Sequence, residues 1–267
     1  MNRADRIKAA VMWLGIHTVG RLSDGLRLCL DEGLTAGKTV DYVYRNQPSG
    51  RLWIGKVIDR AYLNDPDWAA VRARRVNLEA ELEAAIADLA QEGRELTLVD
   101  IASGPASYML AVASKPGLPP LRVICSDRDE RWLAEGRAEA EKLGLTNVSF
   151  ELGDAFDGDA LIARHPDIVV ASGFYDWIDD DAEVRSSFGQ VAAALRQGGR
   201  FVLTNQVGHP DLEFVSAVFE SHTHEPLRMK MRPVEQIASW LAESGMEVVD
   251  TRIDPRGYFA ALHARRL

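Results

Sequence analysis

From Glu95 onward short β-rich apolar runs alternate with helical stretches, and the last two runs are separated only by Asp254-Pro255-Arg256-Gly257. Leu96–Ile101, Leu121–Cys125, Val148–Glu151, Ile168–Ala171 and Arg200–Thr204 read as buried parallel strands with helices between them. That alternation builds a doubly wound α/β sheet. A helix at Val234–Ser244 then precedes strands at Met246–Ile253 and Tyr258–Ala264. So short a connection holds no helix, so these last strands should pair as an antiparallel hairpin and complete a seven-stranded sheet.

The first third of the chain follows another period. Trp68, Val71, Arg75, Leu78, Leu82, Ile86 and Leu89 recur at steps of three and four, predicting one long helix over Pro66–Gln91. Asp65 can cap it, with Pro66 at its first position and Gly93 just past its end. Shorter helical patterns at Leu22–Leu30, Val40–Arg45 and Leu52–Leu63 are broken by Gly33, Gly37, Pro48, Ser49 and Gly50. The expected organisation is an N-terminal helical region, residues 1–92, and a sheet domain, residues 93–267.

Composition excludes several classes. Cys29 and Cys125 are too few for a disulfide framework and read as buried thiols in a reducing, cytoplasmic setting. A formal charge of -9 argues against a broad grip on nucleic acid. The apolar stretch Ala9–Gly20 follows Arg3, Arg6 and Lys8, as a secretory signal would, but it contains His17 and lacks a small-residue cleavage site. It also falls short of the roughly 20 residues that span a bilayer, so stable insertion is not expected and peripheral contact is the most it allows.

Ligands of doubly wound sheets bind beyond the carboxyl ends of the strands, which makes four strand ends informative. After the first, Asp100-Ile101-Ala102-Ser103-Gly104-Pro105-Ala106-Ser107-Tyr108 forms a small-residue turn into a helix, although Ala102 and Ala106 stand where Gly-rich fingerprints carry glycine. Asp127 ends the second strand, where a carboxylate can accept from both hydroxyls of a ribose, and Arg128 follows it. Helix capping is the plain alternative for Asp127, yet Asp129 can do that job. Beyond the third strand, Asp154 and the neighbouring amide of Ala155 suit the edge of adenine, and Phe156 can cover a ring face; a solvated turn is the alternative. Ser172, Phe174, Tyr175, Asp176 and Trp177 leave the fourth strand as an aromatic and polar cluster fit to meet an acceptor, with Tyr175 or Asp176 handling a proton. Phe174 and Trp177 can equally be core residues.

The order of these ends, followed by Leu195-Arg196-Gln197-Gly198-Gly199-Arg200-Phe201-Val202-Leu203, resembles the class I S-adenosylmethionine-dependent methyltransferases over residues 93–267. The resemblance implies a Rossmann-like fold with strand order 3-2-1-4-5-7-6, S-adenosyl-L-methionine as cofactor and S-adenosyl-L-homocysteine as product. It places Asp100, Ala102, Ser103 and Gly104 along the methionine part, Asp127 at the ribose, and Asp154 with Ala155 at adenine. Arg128, Phe156 and Ser172 complete the cofactor set.

Asp24-Gly25-Leu26-Arg27-Leu28, Asp41-Tyr42-Val43-Tyr44-Arg45-Asn46-Gln47-Pro48 and Ile58-Asp59-Arg60-Ala61-Tyr62-Leu63-Asn64 resemble a little-characterised bacterial methyltransferase family, some of whose members are fused to hydrolase-like domains. The polar run Tyr42, Tyr44 and Arg45 suggests a lid, with an interface helix as the alternative. Asn205 and His209 follow the fifth strand and can line the acceptor side. His222 and His224 lack further ligands at metal-binding spacing, so no metal is expected. The expected activity is methyl transfer to a small molecule, a lipid or secondary metabolite among the options. The alternatives are transfer or cyclisation of the aminocarboxypropyl arm with release of methylthioadenosine, and a vestigial cofactor-binding or membrane-docking protein.

Overall fold

The chain opens with α1 (Arg3–His17), α2 (Asp24–Glu32), α3 (Gly37–Arg45), α4 (Leu52–Leu63) and α5 (Pro66–Ala90), with a 3₁₀ turn at Val19–Leu22. Side-chain oxygens start three of them: Asn2 accepts from the Asp5 amide at 2.9 Å, Ser23 from the Leu26 amide at 3.0 Å and Asp65 from the Asp67 amide at 2.9 Å, satisfying N–H groups that a helix start leaves open. The computed structural model describes residues 2–221 and 223–267. They form two units, one of residues 1–73 with 209–228 and one of residues 74–208 with 229–267.

Within the first unit, Asp59 of α4 is fully buried, and its carboxylate collects the Ser23 hydroxyl at 2.5 Å, the Gly25 amide at 2.8 Å, the Tyr42 hydroxyl at 2.6 Å and the Ser49 amide at 2.8 Å. A Cβ on Gly25 would lie 2.7 Å from the Tyr42 ring and 2.8 Å from Asp59, so only glycine lets α2 approach this closely. Val43, Leu63 and Trp68 make one small apolar cluster, and Ala9, Ile16, Leu26 and Val218 make another. The returning segment is tied in by the Leu34 amide, which donates to the Glu220 carbonyl at 2.9 Å.

The second unit is built on β1 (Leu96–Asp100), α6 (Ser107–Ala113), β2 (Leu121–Asp127), α7 (Glu130–Lys142), β3 (Val148–Leu152), α8 (Gly158–Ala163), β4 (Ile168–Ala171), α9 (Asp181–Ala194) and β5 (Arg200–Gln206). After α10 (Leu212–Ser216), which belongs to the first unit, come α11 (Val234–Glu243), β6 (Met246–Ile253) and β7 (Phe259–Arg266). The sheet runs β3-β2-β1-β4-β5-β7-β6, with β7 antiparallel to both neighbours, as expected. Alternation along the strands divides the core. Val99, Ile124, Val169 and Phe201 meet Phe188 of α9 and Leu241 of α11, whereas Leu98, Val123, Val170 and Val202 meet Leu78, Leu82 and Ile86 of α5. Both cysteines are buried, and burial pushes the Cys29 thiol up to about 12 and the Cys125 thiol well above its ordinary range.

The expected boundary at residues 92 and 93 is corrected. The units divide inside α5, at residues 73 and 74, and residues 209–228 return to the first. Gly93, at φ +68°, does end the helix, but a helix end is not the end of a packing unit. The later turns of α5 supply one face of the sheet core, while Trp68 joins Val43 and Leu63.

The amino ends of three strands are clamped by charge. Asp167, just before β4, accepts from Arg94 Nη1 at 2.9 Å, Arg196 Nε at 2.7 Å and the Thr97 amide at 2.8 Å. Burial raises its carboxyl, but these donors outweigh that and hold it below the ordinary value. Arg196 Nη2 also reaches Glu92 at 2.6 Å, so cations and anions alternate through the cluster. A cavity lined by Arg94, Thr97, His165, Asp167 and Arg196 opens at this end, but in doubly wound sheets ligands bind beyond the opposite, carboxyl ends of the strands.

Candidate cofactor site at the carboxyl ends of the strands

At the end of β2, Asp127 Oδ2 accepts the Gly104 amide at 2.7 Å and Oδ1 accepts the Asp129 amide at 2.9 Å. Asp129 in turn caps α7 through the Arg131 amide at 2.9 Å, which leaves Asp127 outside the capping role. The carboxylate is half-buried, and with one donor on each oxygen it keeps acceptor capacity for two further hydroxyls. Gly104 sits at φ +53°, and a Cβ built there would meet nothing within 4 Å, so the loop opens onto free space beside Asp127. Ala106 shares the left-handed conformation at φ +58°. A non-glycine residue there carries strain of about 1 kcal/mol, so the departure from glycine noted in the sequence falls on a backbone that wants glycine.

Asp100 lies beneath the loop. It is fully buried, accepting the Tyr108 hydroxyl on one oxygen and the Ala102 amide at 3.3 Å on the other. Burial raises its pKa from 3.8 to about 7, against the lowering effect of those two donors. A raised carboxyl costs nothing below its unfolded value, and the cost grows until pH passes the folded value. Asp100→Asn should therefore leave stability nearly unchanged near pH 4 and add about 2–4 kcal/mol at pH 8, since each tenfold change in proton affinity is worth about 1.4 kcal/mol. Urea denaturation at both pH values checks this; an equal effect at the two would show that burial does not hold the proton.

Further along the sheet, Asp154 is exposed beyond β3 with its Oδ1 on the Phe156 amide at 3.0 Å, and Ala155 is buried. Phe156 and Phe174 come from different strand ends yet meet with ring centroids 5.3 Å apart. The third and fourth strand ends thus share an aromatic wall. Ser172 is half-buried and Arg128 exposed.

Tyr175 requires correction as a catalytic candidate. Residues 175–177 coil into a 3₁₀ turn that sends the Tyr175 ring into the core, 5.0 Å from Phe188, with its hydroxyl 3.0 Å from Ser187 Oγ. At 1% exposure and with burial pushing its phenol above the ordinary range, it has no route to a substrate proton. Asp176 is also buried, accepting the Gln206 amide at 2.7 Å, but burial raises its carboxyl only to about 6, opposed by that amide and by the nearby charges of Arg74 and Arg232. Trp177 is half-buried. Asn205 is corrected as an acceptor-side residue: it is 1% exposed and donates to the Arg232 carbonyl at 2.7 Å, anchoring the segment before α11.

Arg74, which apolar periodicity passes over, lies 4.9 Å over the Phe259 ring and beside Gly173, where a Cβ would come within 3.1 Å of Nη1. Its signal in the sequence is the basic run Arg72, Arg74 and Arg75 on a helix recognised by its apolar phase.

Tyr42, Tyr44, Arg45 and His209 belong to the first unit. Tyr42 is committed to Asp59, Arg45 pairs with Asp41 at 2.5 Å, and His209 Nε2 lies 3.7 Å from Asp67. Those bonds hold the Tyr42 hydroxyl within the first unit. His222 falls outside the described residues, and His224 lies 3.5 Å from Glu220. Among the described residues no group of three or more metal-ligating side chains occurs, and no helix is long and apolar enough to cross a membrane.

Residues 2–266 match the sequence pattern of a family described as "Putative methyltransferase". The chain belongs to that family. Beside this methyltransferase family match, the uncharacterised protein YnbC of Escherichia coli K12 is 33% identical over 265 residues, covering 97% of this chain and 44% of its own length. The chain therefore spans under half of that curated relative. Among solved structures, a possible exported protein from Bordetella parapertussis aligns with a TM-score of 0.71 at 20% identity, over 98% of this chain and 87% of that one. Magnesium protoporphyrin IX methyltransferase from Synechocystis, solved with bound S-adenosylhomocysteine, aligns with a TM-score of 0.58 at 16% identity, over 89% and 98%. The fold is that of the S-adenosylmethionine-dependent methyltransferases.

Proposed function

We propose that this protein transfers a methyl group from S-adenosylmethionine to a small molecule. The observation that carries the reading is the half-buried Asp127 carboxylate, with open acceptor capacity, hydrogen-bonded to the amide of a glycine that faces free space. Asp127 would hold the ribose hydroxyls, the Ala102–Gly104 loop the methionine part, and Asp154 with the Ala155 amide the adenine edge. Phe156 and Phe174 would close over the ring system. Bound there, the cofactor supplies an activated methyl for in-line transfer, and the chain's part is to position the acceptor and exclude water.

Asp176, 2% exposed and held by the Gln206 amide, would have to be uncovered by movement of the 175–177 turn before it could orient an acceptor or take up its proton. A small-molecule acceptor is supported by the aromatic wall and by the Synechocystis neighbour, whose named substrate is a porphyrin.

Calorimetric titration of S-adenosylmethionine and S-adenosylhomocysteine into the full chain tests the cofactor. Turnover against a panel of small acceptors should yield S-adenosylhomocysteine. Methylthioadenosine as the product would replace methyl transfer with transfer of the aminocarboxypropyl arm.

A further inference from the structure

The helix α1 is apolar on two opposite faces and buries only one of them. Ala9 and Ile16 face the cluster shared with Leu26 and Val218, whereas Ile7, Val11 and Leu14, spaced i, i+4 and i+7 on the other side, are 58%, 67% and 59% exposed. A second helix of the same unit repeats the arrangement. In α4, Gly55, Asp59 and Leu63 point inward, and Trp53 and Val57, 75% and 52% exposed, point out. Both helices pack against the Val19–Leu22 turn, and both line the same cluster, Ile58 and Tyr62 from α4 beside Ala9 and Ile16 from α1. Soluble proteins rarely leave so much large apolar surface together unless it meets something.

The charges around it carry one sign. Arg3, Arg6, Lys8, Arg51, Lys56 and Arg60 are exposed on these segments, while Asp59 is buried and Asp5 half-buried. In a chain of net charge -9 this is a local reversal. Apolar side chains, tryptophans and cations together, on helices too short to cross, match the chemistry of a bilayer interface bearing anionic headgroups. We propose that the outward faces of α1 and α4 dock the protein on an anionic lipid surface. The negative charge elsewhere would be repelled by the same surface, which fixes the docking face as well as the affinity.

Co-sedimentation of the full chain with vesicles tests the proposal, using phosphatidylcholine alone and phosphatidylcholine with phosphatidylglycerol. Binding is expected only where the anionic lipid is present and should weaken with added salt. Lys56→Gln with Arg60→Gln should reduce partitioning about fivefold per cation removed. Val11→Ser with Leu14→Ser, and Trp53→Ser with Val57→Ser, should abolish it while leaving the thermal melt in place, because these side chains are exposed. Val76→Ser, at an exposed apolar site on α5, is the control and should bind as the parent does. Absence of binding to the anionic vesicles, or equal binding to both compositions, would overturn the proposal. So would a dimer in light scattering that the same serine variants dissociate, since the apolar faces would then belong to a second copy.

Discussion

Asp127→Ala is expected to weaken S-adenosylmethionine binding by at least about a hundredfold, while the protein stays folded. A hydrogen bond to a charged acceptor contributes about 1.5–3 kcal/mol, and two ribose hydroxyls would share this carboxylate. The substitution also frees the Gly104 amide, bonded at 2.7 Å, so the loop loses the anchor that holds it open. Asp127→Asn keeps one acceptor oxygen and should fall between the parent and the alanine variant. Calorimetry on the three proteins, each checked by circular dichroism, decides the matter. Parent-like affinity in a folded Asp127→Ala would move the cofactor away from the end of β2.

The second large effect concerns stability. Asp59→Ala strands the Ser23 and Tyr42 hydroxyls and the Gly25 and Ser49 amides inside the first unit. Ser23 and Gly25 are buried whereas Tyr42 is half-buried and Ser49 exposed, so two donors bear the full cost of about 1–3 kcal/mol each and a loss of about 2–6 kcal/mol is expected. Small units have little more than that to lose. The measurement is hydrogen exchange at the Gly25 and Ser49 amides alongside urea denaturation. Protection should collapse at those amides first, and a variant that retained it would show that the carboxylate is not what gathers these segments.

The sheet could be read from the sequence because its signals are local and repeated. Buried parallel strands are continuous apolar runs, and the short Asp254–Gly257 connection leaves a hairpin as the available geometry. That Asp127 is not the helix cap was legible for a similar reason, since Asp129 does that job. Tyr175 was not. Its neighbours Phe174 and Trp177 stay half-buried, and only the 3₁₀ turn determines that the middle ring swings towards Ser187. Asn205 failed in the same way, because the segment that covers it arrives from residue 232, far along the chain. The Asp59 hub lay half in view. Gly25, Tyr42 and Asp59 stood inside the stretches that resembled a family, but nothing in their spacing says that they meet.

The path of the backbone through the two units has a consequence for how the molecule is made. Residues 1–73 emerge from the ribosome before the sheet unit, yet Val218 and the Glu220 carbonyl that accepts from Leu34 are supplied only by residues 209–228. The leading helices must therefore wait, incompletely covered, while five strands of the following unit are synthesised. Cutting the gene at residue 92 would not yield two modules. One fragment would lack Val218 and the Glu220 carbonyl, and the other would lose the α5 side chains Leu78, Leu82 and Ile86 from its own core. Inheritance of this chain as a single piece is thus written into its threading.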